Sequence, residues 1–317
     1  MYNKNLYLKF LGNPYRTMLQ SGQKSSSEMR RLKSGITRLN NRTKKPGDWI
    51  QSKYQFKDKI QNYVTVPKTY FYGNDITKIT ESLTKLNEFV LKPNHLSRGI
   101  GIRVLKRTGN NYLDKNGDIL TLQDLLDECK VMIHLKRYKG VQGIIIEEII
   151  TTHPTLNPNG YADIRMIYYR NRFLFCVGRF GNKKSSGYGN TNRGSNYGSY
   201  IGGIHVNDGK FITSGEVPSK IPFFNEMVLE GQKVTRMFGF AFMSVDMTVD
   251  VNGRIIIVES EQLPQIQYYL SPTGVRWLRE IMDKDFKIVP RQNNRSHLLS
   301  AYFPVKVPVS RNPGDTR

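Results

Sequence analysis

Disulfide chemistry has little to work with in this chain. Its 317 residues include only Cys129 and Cys176, too few for a disulfide framework, and Cys176 lies in the apolar stretch FLFCV, where a small buried thiol is expected. Long apolar runs are missing too. None approaches the roughly 20 residues that span a bilayer, and the N-terminal MYNKNLYLKFLGNPYR lacks the uninterrupted apolar core of a signal peptide. A cytoplasmic protein with no membrane span is the expectation. The five His residues, at 95, 134, 153, 205 and 297, show no metal-ligand spacing. GxSxG, HExxH and Cys-His signatures are also absent, which argues against hydrolases built on a nucleophile or on zinc.

Acidic residues are scarce relative to basic ones, 26 against 48, and the formal charge is +22. Its distribution is uneven. Residues 1–45 hold eleven Lys or Arg against Glu28 alone, and the last 27 residues hold five against Asp315. Such a field attracts nucleic acid, anionic lipid or a polyanionic substrate; solvated basic ends that serve solubility explain it as well. The length suits one large domain or two intimate ones, and 38% hydrophobic residues suits a soluble globular protein.

Strand and helix patterns alternate without the regularity of a doubly wound sheet. VTVPKTYFYG (64–73), EFVLKP (88–93), GIRVLK (101–106) and GIIIEEII (143–150) read as strands, and KNGD marks a hairpin. ITKITESLTKLN (76–87) and LQDLLDECKVMIHLKR have helical spacing, the second opened by Thr121 and Asp124 as a capping box. ADIRMIYYRNRFLFCVGRF (162–180) reads as two strands around RNR, and a helix is predicted from about Asn225 to Phe238, stopped by Gly239. GNKKSSGYGNTNRGSNYGSYIGG (181–203) is either a linker or a functional loop. We expect an α+β fold with mixed or antiparallel sheets. Residues 1–48 read as a basic arm with short helices.

Chemistry concentrates at FMSVDMTVDVNGRIIIVESEQ. With a two-residue turn at Asn252-Gly253, position i pairs with 505 − i, so Asp246 faces Glu259. Glu259 and Glu261 share a face because strand side chains two apart point the same way. Three carboxylates on one face repel unless a cation lies among them, and hard oxygen ligands select Mg²⁺ or Mn²⁺. Pairing with a nearby Lys or Arg is the alternative. FVLKPNHLSRGIGIRVL offers Lys92 at a strand end and a small-residue turn, Ser97-Arg98-Gly99-Ile100-Gly101, whose N–H groups suit a polyphosphate. A plain glycine hairpin explains that turn equally well. In IIIEEII, either Glu147 or Glu148 must face inward or lie at an edge. Asp163 and Arg165 share a face, as a salt bridge or an anion contact.

Taken in order, the Lys, the Gly-rich hairpin, the Glu-Glu strand, DIR, the Asn-rich loop, Asp246 and the Glu-x-Glu resemble the ATP-grasp superfamily. Within it, residues 34–270 resemble the RimK-like glutamate ligases and the related sugar-transfer-associated proteins. SGITRLNNRTKK is similar to the family's GxxxxNRRN-type segment, and SKYQFKDKIQNYVTVPKTY to its DKxxxxxxL…IPVPxTY segment. The resemblance implies two α+β subdomains clasping ATP: a reduced N-terminal and A subdomain over 49–142, a metal-bearing subdomain over 143–290, and a basic tail over 291–317. It makes Lys53 the first nucleotide lysine, with Lys59 as another register, and Lys92 the second. Ser97, Arg98, Gly99 and Gly101 become the hairpin that covers the phosphates. Glu147, Glu148 and Ile149 become the hinge that meets adenine and ribose, with Asp163 beside the nucleotide. Arg165 and Arg179 would meet substrate carboxylate or phosphate, and Asn190 stands at the Asn of the NLHxGG loop, where Asn192 replaces His. Asp246, Glu259 and Glu261 become the ligands of two Mg²⁺ ions, with Glu261 standing where the family carries Asn and Pro264 in place after it.

The implied activity is an ATP-dependent carboxylate–amine ligase working through an acyl phosphate, with a carboxylate-rich acceptor such as an acidic peptide or a uronic-acid polymer. Its partners would be ATP, a carboxylate and an amine. A nucleic-acid-binding or -modifying protein on the same scaffold, and a phosphotransferase that stops at a phosphorylated product, are the alternatives. The Lys- and Arg-rich stretches lack the interleaved aromatics of single-strand binders.

Overall fold

A computed structural model describes residues 27–43, 52–96, 101–115, 117–134, 142–158, 160–180, 196–200, 221–262, 278–280 and 282. Within them two sheets organise the chain, and every strand pair is antiparallel. The first sheet runs β1 (Thr69–Gly73), β6 (Ile144–Glu147), β2 (Glu88–Pro93), β3 (Arg103–Thr108), β4 (Asn111–Asp114), β5 (Ile119–Thr121). The second runs β11 (Ile255–Glu261), β10 (Phe242–Val249), β7 (Ala162–Tyr169), β8 (Arg172–Phe180), β9 (Asn196–Tyr200).

Alternation along β2 and β6 decides what each face of the first sheet does. Phe89, Leu91, Ile144 and Ile146 join Ile79 and Leu83 of α3 (Ile76–Lys85) and Leu125, Cys129 and Met132 of α4 (Leu122–His134) in one core. The period of two then sends Val90, Lys92, Ile145 and Glu147 to the opposite face. Both helices start where the sequence says. Asp75 accepts from the Thr77 and Lys78 amides at 2.9 and 3.3 Å, and Thr121 and Asp124 exchange reciprocal bonds of 2.9 and 3.1 Å.

The second sheet is covered on both faces. Ile164, Met166, Val245 and Met247 pack with α5 (Phe224–Phe238) and with Phe56 and Ile60 of α2 (Lys53–Ile60). On the other face lies α1 (Ser27–Thr43), whose Leu32, Ile36 and Leu39 recur at helical spacing and meet Ile167, Tyr169, Val177 and Phe242. Asn40 donates to the Phe242 and Gln262 carbonyls, 2.8 Å each, and accepts from the Phe242 amide. Much of the expected basic arm is therefore a helix built into this sheet. Its apolar stripe outweighs its charge in deciding where it lies.

Two other expectations shift. The segment change foreseen at 142/143 falls ahead of β6, yet β6 sits between β1 and β2 in the first sheet, because its Ile144 and Ile146 belong to that sheet's core. The chain crosses to the second sheet only after Glu147. The β10–β11 turn is a three-residue loop rather than a two-residue one. Asp250 closes it, its carboxylate accepting from the Asn252 and Arg254 amides at 3.0 and 2.8 Å, with Gly253 at φ 77°. That loop sets the register one residue off, Val249 opposite Ile255, and an irregularity between Asp246 and Met247 restores it. Asp246 still faces Glu259, through two compensating departures.

Candidate active site

One row of charged side chains crosses the second sheet at the end that α1 leaves uncovered. Register places it. Arg179 of β8 opposes Asp163 of β7, Arg165 of β7 opposes Asp246 of β10, and Asp246 opposes Glu259 of β11. Arg165 holds Asp246 bidentately, Nε to Oδ1 at 2.8 Å and Nη2 to Oδ2 at 2.7 Å, and also donates to both Glu261 oxygens at 3.0 and 3.1 Å. Arg179 donates to Asp163 and, at 2.6 Å, to Asp246. Lys53, from the first turn of α2, reaches over β11 to Glu259 at 2.7 Å. Every carboxylate of the row has a basic partner, the arrangement that makes such buried charge tolerable.

The electrostatics follow from burial set against these partners. Burial would raise the Asp246 carboxyl, but Arg165 and Arg179 hold it down to about 2. Burial raises Asp163 to about 6, with Arg179 opposing and Asp246 adding to the rise. Burial also raises Glu261 above the usual carboxylate range despite Arg165. Glu259, equally enclosed, is held below that range by Lys53. Burial alone would lower the Lys53 ammonium, and Glu259 outweighs it.

Across from this row, the first sheet contributes a second cluster. Glu147 is buried, and its two oxygens each take a lysine: Oε1 takes Lys92 of β2 and Oε2 takes Lys57 of α2. Burial would raise the Glu147 carboxyl, and the two lysines keep it low. Asn94 ties the end of β2 to the start of α2, accepting from the Tyr54 amide at 2.9 Å while its amide group donates to Ser52 at 3.0 Å. Ser52 in turn caps α2 by accepting from the Gln55 amide at 3.2 Å. The strand lysine and the helix lysines are thereby fixed together.

Nine of the residues singled out in the sequence thus share this region: Lys53, Lys92, Glu147, Asp163, Arg165, Arg179, Asp246, Glu259 and Glu261. Glu148 turns the other way, accepting from the Lys68 amide at 2.8 Å, and Ile149 follows just past the end of β6. Lys59 is exposed, so the Lys53 register is the one that reaches the row. Gly101, at φ 74°, packs near Met132 and Pro93, where a Cβ would collide with the Met132 sulfur and crowd the Pro93 ring. Ser97, Arg98, Gly99, Asn190, Asn192 and Pro264 lie outside the described residues, as do residues 1–26 and 291–317. Lys57 is the residue sequence reasoning missed. Its signal was available: it stands one helical turn after Lys53, on the same face of α2.

Among the described residues no three His, Cys, Asp or Glu side chains form a ready metal-binding group. The carboxylates instead hold bases, with Arg165 bridging Asp246 and Glu261 and Lys53 on Glu259. The donor set nevertheless fits a hard cation. All three groups offer only oxygen, and a guanidinium already occupies the span between two of them.

A model of the sugar-transfer associated ATP-grasp family matches residues 31–217. The chain belongs to that family. Its fold is the α+β ATP-grasp fold. No curated protein matches the chain. Among solved structures it is similar to the ATP-grasp ligase PsnB complexed with a minimal precursor, at 10% identity, covering 75% of this chain and 60% of that one, TM-score 0.43. It is also similar to a RiPP-associated ATP-grasp ligase of Chryseobacterium gregarium, at 13% identity, covering 83% and 64%, TM-score 0.42. A third is the D-alanine–D-alanine ligase of Bacillus anthracis, at 13% identity, covering 74% and 67%, TM-score 0.45. This ATP-grasp chain spans 60% of the length of the first of these.

Proposed function

We propose that the protein is an ATP-dependent carboxylate–amine ligase, with ATP held between the two sheets and the charged row as its catalytic wall. The observation that carries this reading is the convergence of Lys53, Lys92, Arg165 and Arg179 with buried carboxylates from both sheets. Each of these bases has a carboxylate that it can exchange for a phosphate or substrate oxygen.

In this reading the segment from Glu147 to Ile149 presents backbone and carboxylate to adenine and ribose, with Asp163 nearby. Lys53 and Lys92 move from carboxylates onto phosphate oxygens. Asp246, Glu259 and Glu261 would hold Mg²⁺, with Glu259 freed as Lys53 moves, and the ion would neutralise the charge of the transferring phosphoryl group. Arg165 and Arg179 steady charge on the substrate carboxylate as it takes the γ-phosphoryl group and ADP leaves; the amine then attacks the acyl carbon, loses a proton and displaces phosphate to give the amide. Ser97, Arg98, Gly99 and Gly101 cover the phosphates, and Asn190 serves the substrate side. Among the described residues five bases (Lys53, Lys57, Lys92, Arg165, Arg179) meet five carboxylates (Glu147, Asp163, Asp246, Glu259, Glu261), so that part of the site is neutral when all are ionised, and two divalent cations would balance a tetra-anionic ATP brought into it.

The deciding experiment measures ADP release against pools of amino acids, amines and carboxylates, with Glu259→Gln as control. Stimulation by one pool with amide formation, and a loss of roughly 100-fold or more in Glu259→Gln, is the expected result. If no pool stimulates release, or if Glu259→Gln matches the parent, the ligase reading fails. ADP release that yields a phosphorylated product without an amide would make the protein a phosphotransferase instead.

A further inference from the structure

Helix α2 carries two lysines one turn apart that go to different sheets: Lys53 to Glu259 on the second, Lys57 to Glu147 on the first. Lys57 is the more deeply buried of the two, at 2% exposure. The helix holding it is anchored by Phe56 and Ile60 in the core of the second sheet. Lys57 and Lys92 take one oxygen each of a carboxylate that is itself 4% exposed.

A buried carboxylate stripped of every cation carries an unpaid desolvation penalty, which makes such a state poorly populated. If the Lys92 ammonium is to reach a phosphate it must leave Glu147 Oε1. Glu147 then depends on whatever cation remains. We propose that Lys57 is a positioning residue for nucleotide binding: by retaining Glu147 it lets Lys92 exchange that carboxylate for a phosphate. The role rests on the reading of the cleft as an ATP site. Without Lys57, every phosphate contact made by Lys92 would compete with an otherwise orphaned carboxylate.

The ionisation of Lys57 offers a handle on this role. Burial draws its ammonium down to about 8, with Glu147 opposing and Lys92 adding to the fall. The charged groups around it are Glu147 on β6 and Lys92 on β2. Tyr161, just before β7, interacts with Glu147. Asp58 of α2, Lys68, Glu230 and Lys233 of α5 and Arg254 line the adjoining groove. Below about 8 Lys57 is charged and holds Glu147; above it Lys57 is neutral and Lys92 must stay.

The test is calorimetric titration of the full chain with ADP and Mg²⁺ across that pH, using the parent, Lys57→Met, Lys57→Arg and Lys92→Met. The parent should bind with constant affinity below pH 8 and lose up to about tenfold per pH unit above it. Lys57→Met should bind roughly tenfold or more weakly at neutral pH and lose that step. Lys57→Arg, always charged, should bind like the parent at neutral pH and stay flat above it. Parent-like affinity in Lys57→Met, or an unchanged step in Lys57→Arg, overturns the proposal. Should Lys57→Met fail to fold, the Lys57→Arg profile decides alone. A parent that binds while Lys92→Met does not, with both Lys57 variants unchanged, sinks this inference and leaves the ATP-site reading standing. A parent that does not bind sinks both.

Discussion

Asp163 shows how a single side chain in this site is caught between opposing forces. It pairs with Arg179, which favours its charge, but it is enclosed and lies near Asp246, and the enclosure prevails, placing it at about 6. Its ordinary value is 3.8. The folded protein therefore holds this proton more tightly than the unfolded chain does. Between about pH 4 and pH 6 the native state binds more protons, so the group makes stability fall as pH rises through that window, with the full cost present above it. Asp163→Asn removes the titration. Its melting temperature, relative to the parent's, should shift in the variant's favour from pH 4 to pH 6; a constant difference would show that Arg179 holds Asp163 ionised throughout. Asp246, two strand positions away across the sheet, runs the other way. Two guanidiniums hold it near 2, so its contribution is kept down to about pH 4 and fades only below that.

At the scale of elements, close approach rather than propensity decides one position in α5. Gly231 sits in mid-helix, where glycine costs about 1 kcal/mol relative to alanine. Its missing side chain lets Tyr168 of β7 lie against the helix and donate to the Val228 carbonyl at 3.2 Å. A Cβ there would overlap the Tyr168 ring and hydroxyl. Tyr168 is 1% exposed and has nowhere to retreat. Gly231→Ala should therefore destabilise by about 1–3 kcal/mol, overpacking outweighing the propensity gain; denaturant unfolding reads this directly, and a stabilised variant would mean that the sheet and helix separate easily. Much of this element structure was legible in advance. The Thr121–Asp124 cap, the turn at Arg170 and Asn171 with φ of 48° and 64°, the Gly239 stop and the Asp246–Glu259 pairing all follow from local rules of period and cap. What the sequence hid were pairings between distant segments. Lys92 and Glu147 are 55 residues apart, and no local pattern says that a lysine at a strand end will share its carboxylate with Lys57. The hairpin teaches the same lesson, since a two-residue turn gives the right partner for Asp246 while missing both the Asp250-closed loop and the compensating irregularity.

Across the whole molecule, the site divides between the sheets: Lys92 and Glu147 come from the first, Arg165, Asp246 and Glu259 from the second, and α2 reaches both through Lys53 and Lys57. A ligand held by these residues draws on both sheets at once, and it stabilises the fold by mass action because the unfolded chain does not bring them together. At a hundredfold excess over its Kd, ADP with Mg²⁺ should add about 2.7 kcal/mol, a rise of several degrees in melting temperature. Glu259→Gln should lose most of that rise. Salt separates this effect from the net charge of +22, because among the described residues the site's five bases are already matched by five carboxylates. Raising salt from about 50 to about 200 mM should leave most of the nucleotide-dependent shift, since buried pairs are poorly screened, while loosening retention on DNA by orders of magnitude. If both fall together, exposed positive charge rather than the buried cleft is what holds the nucleotide, and the two-sheet site loses its support.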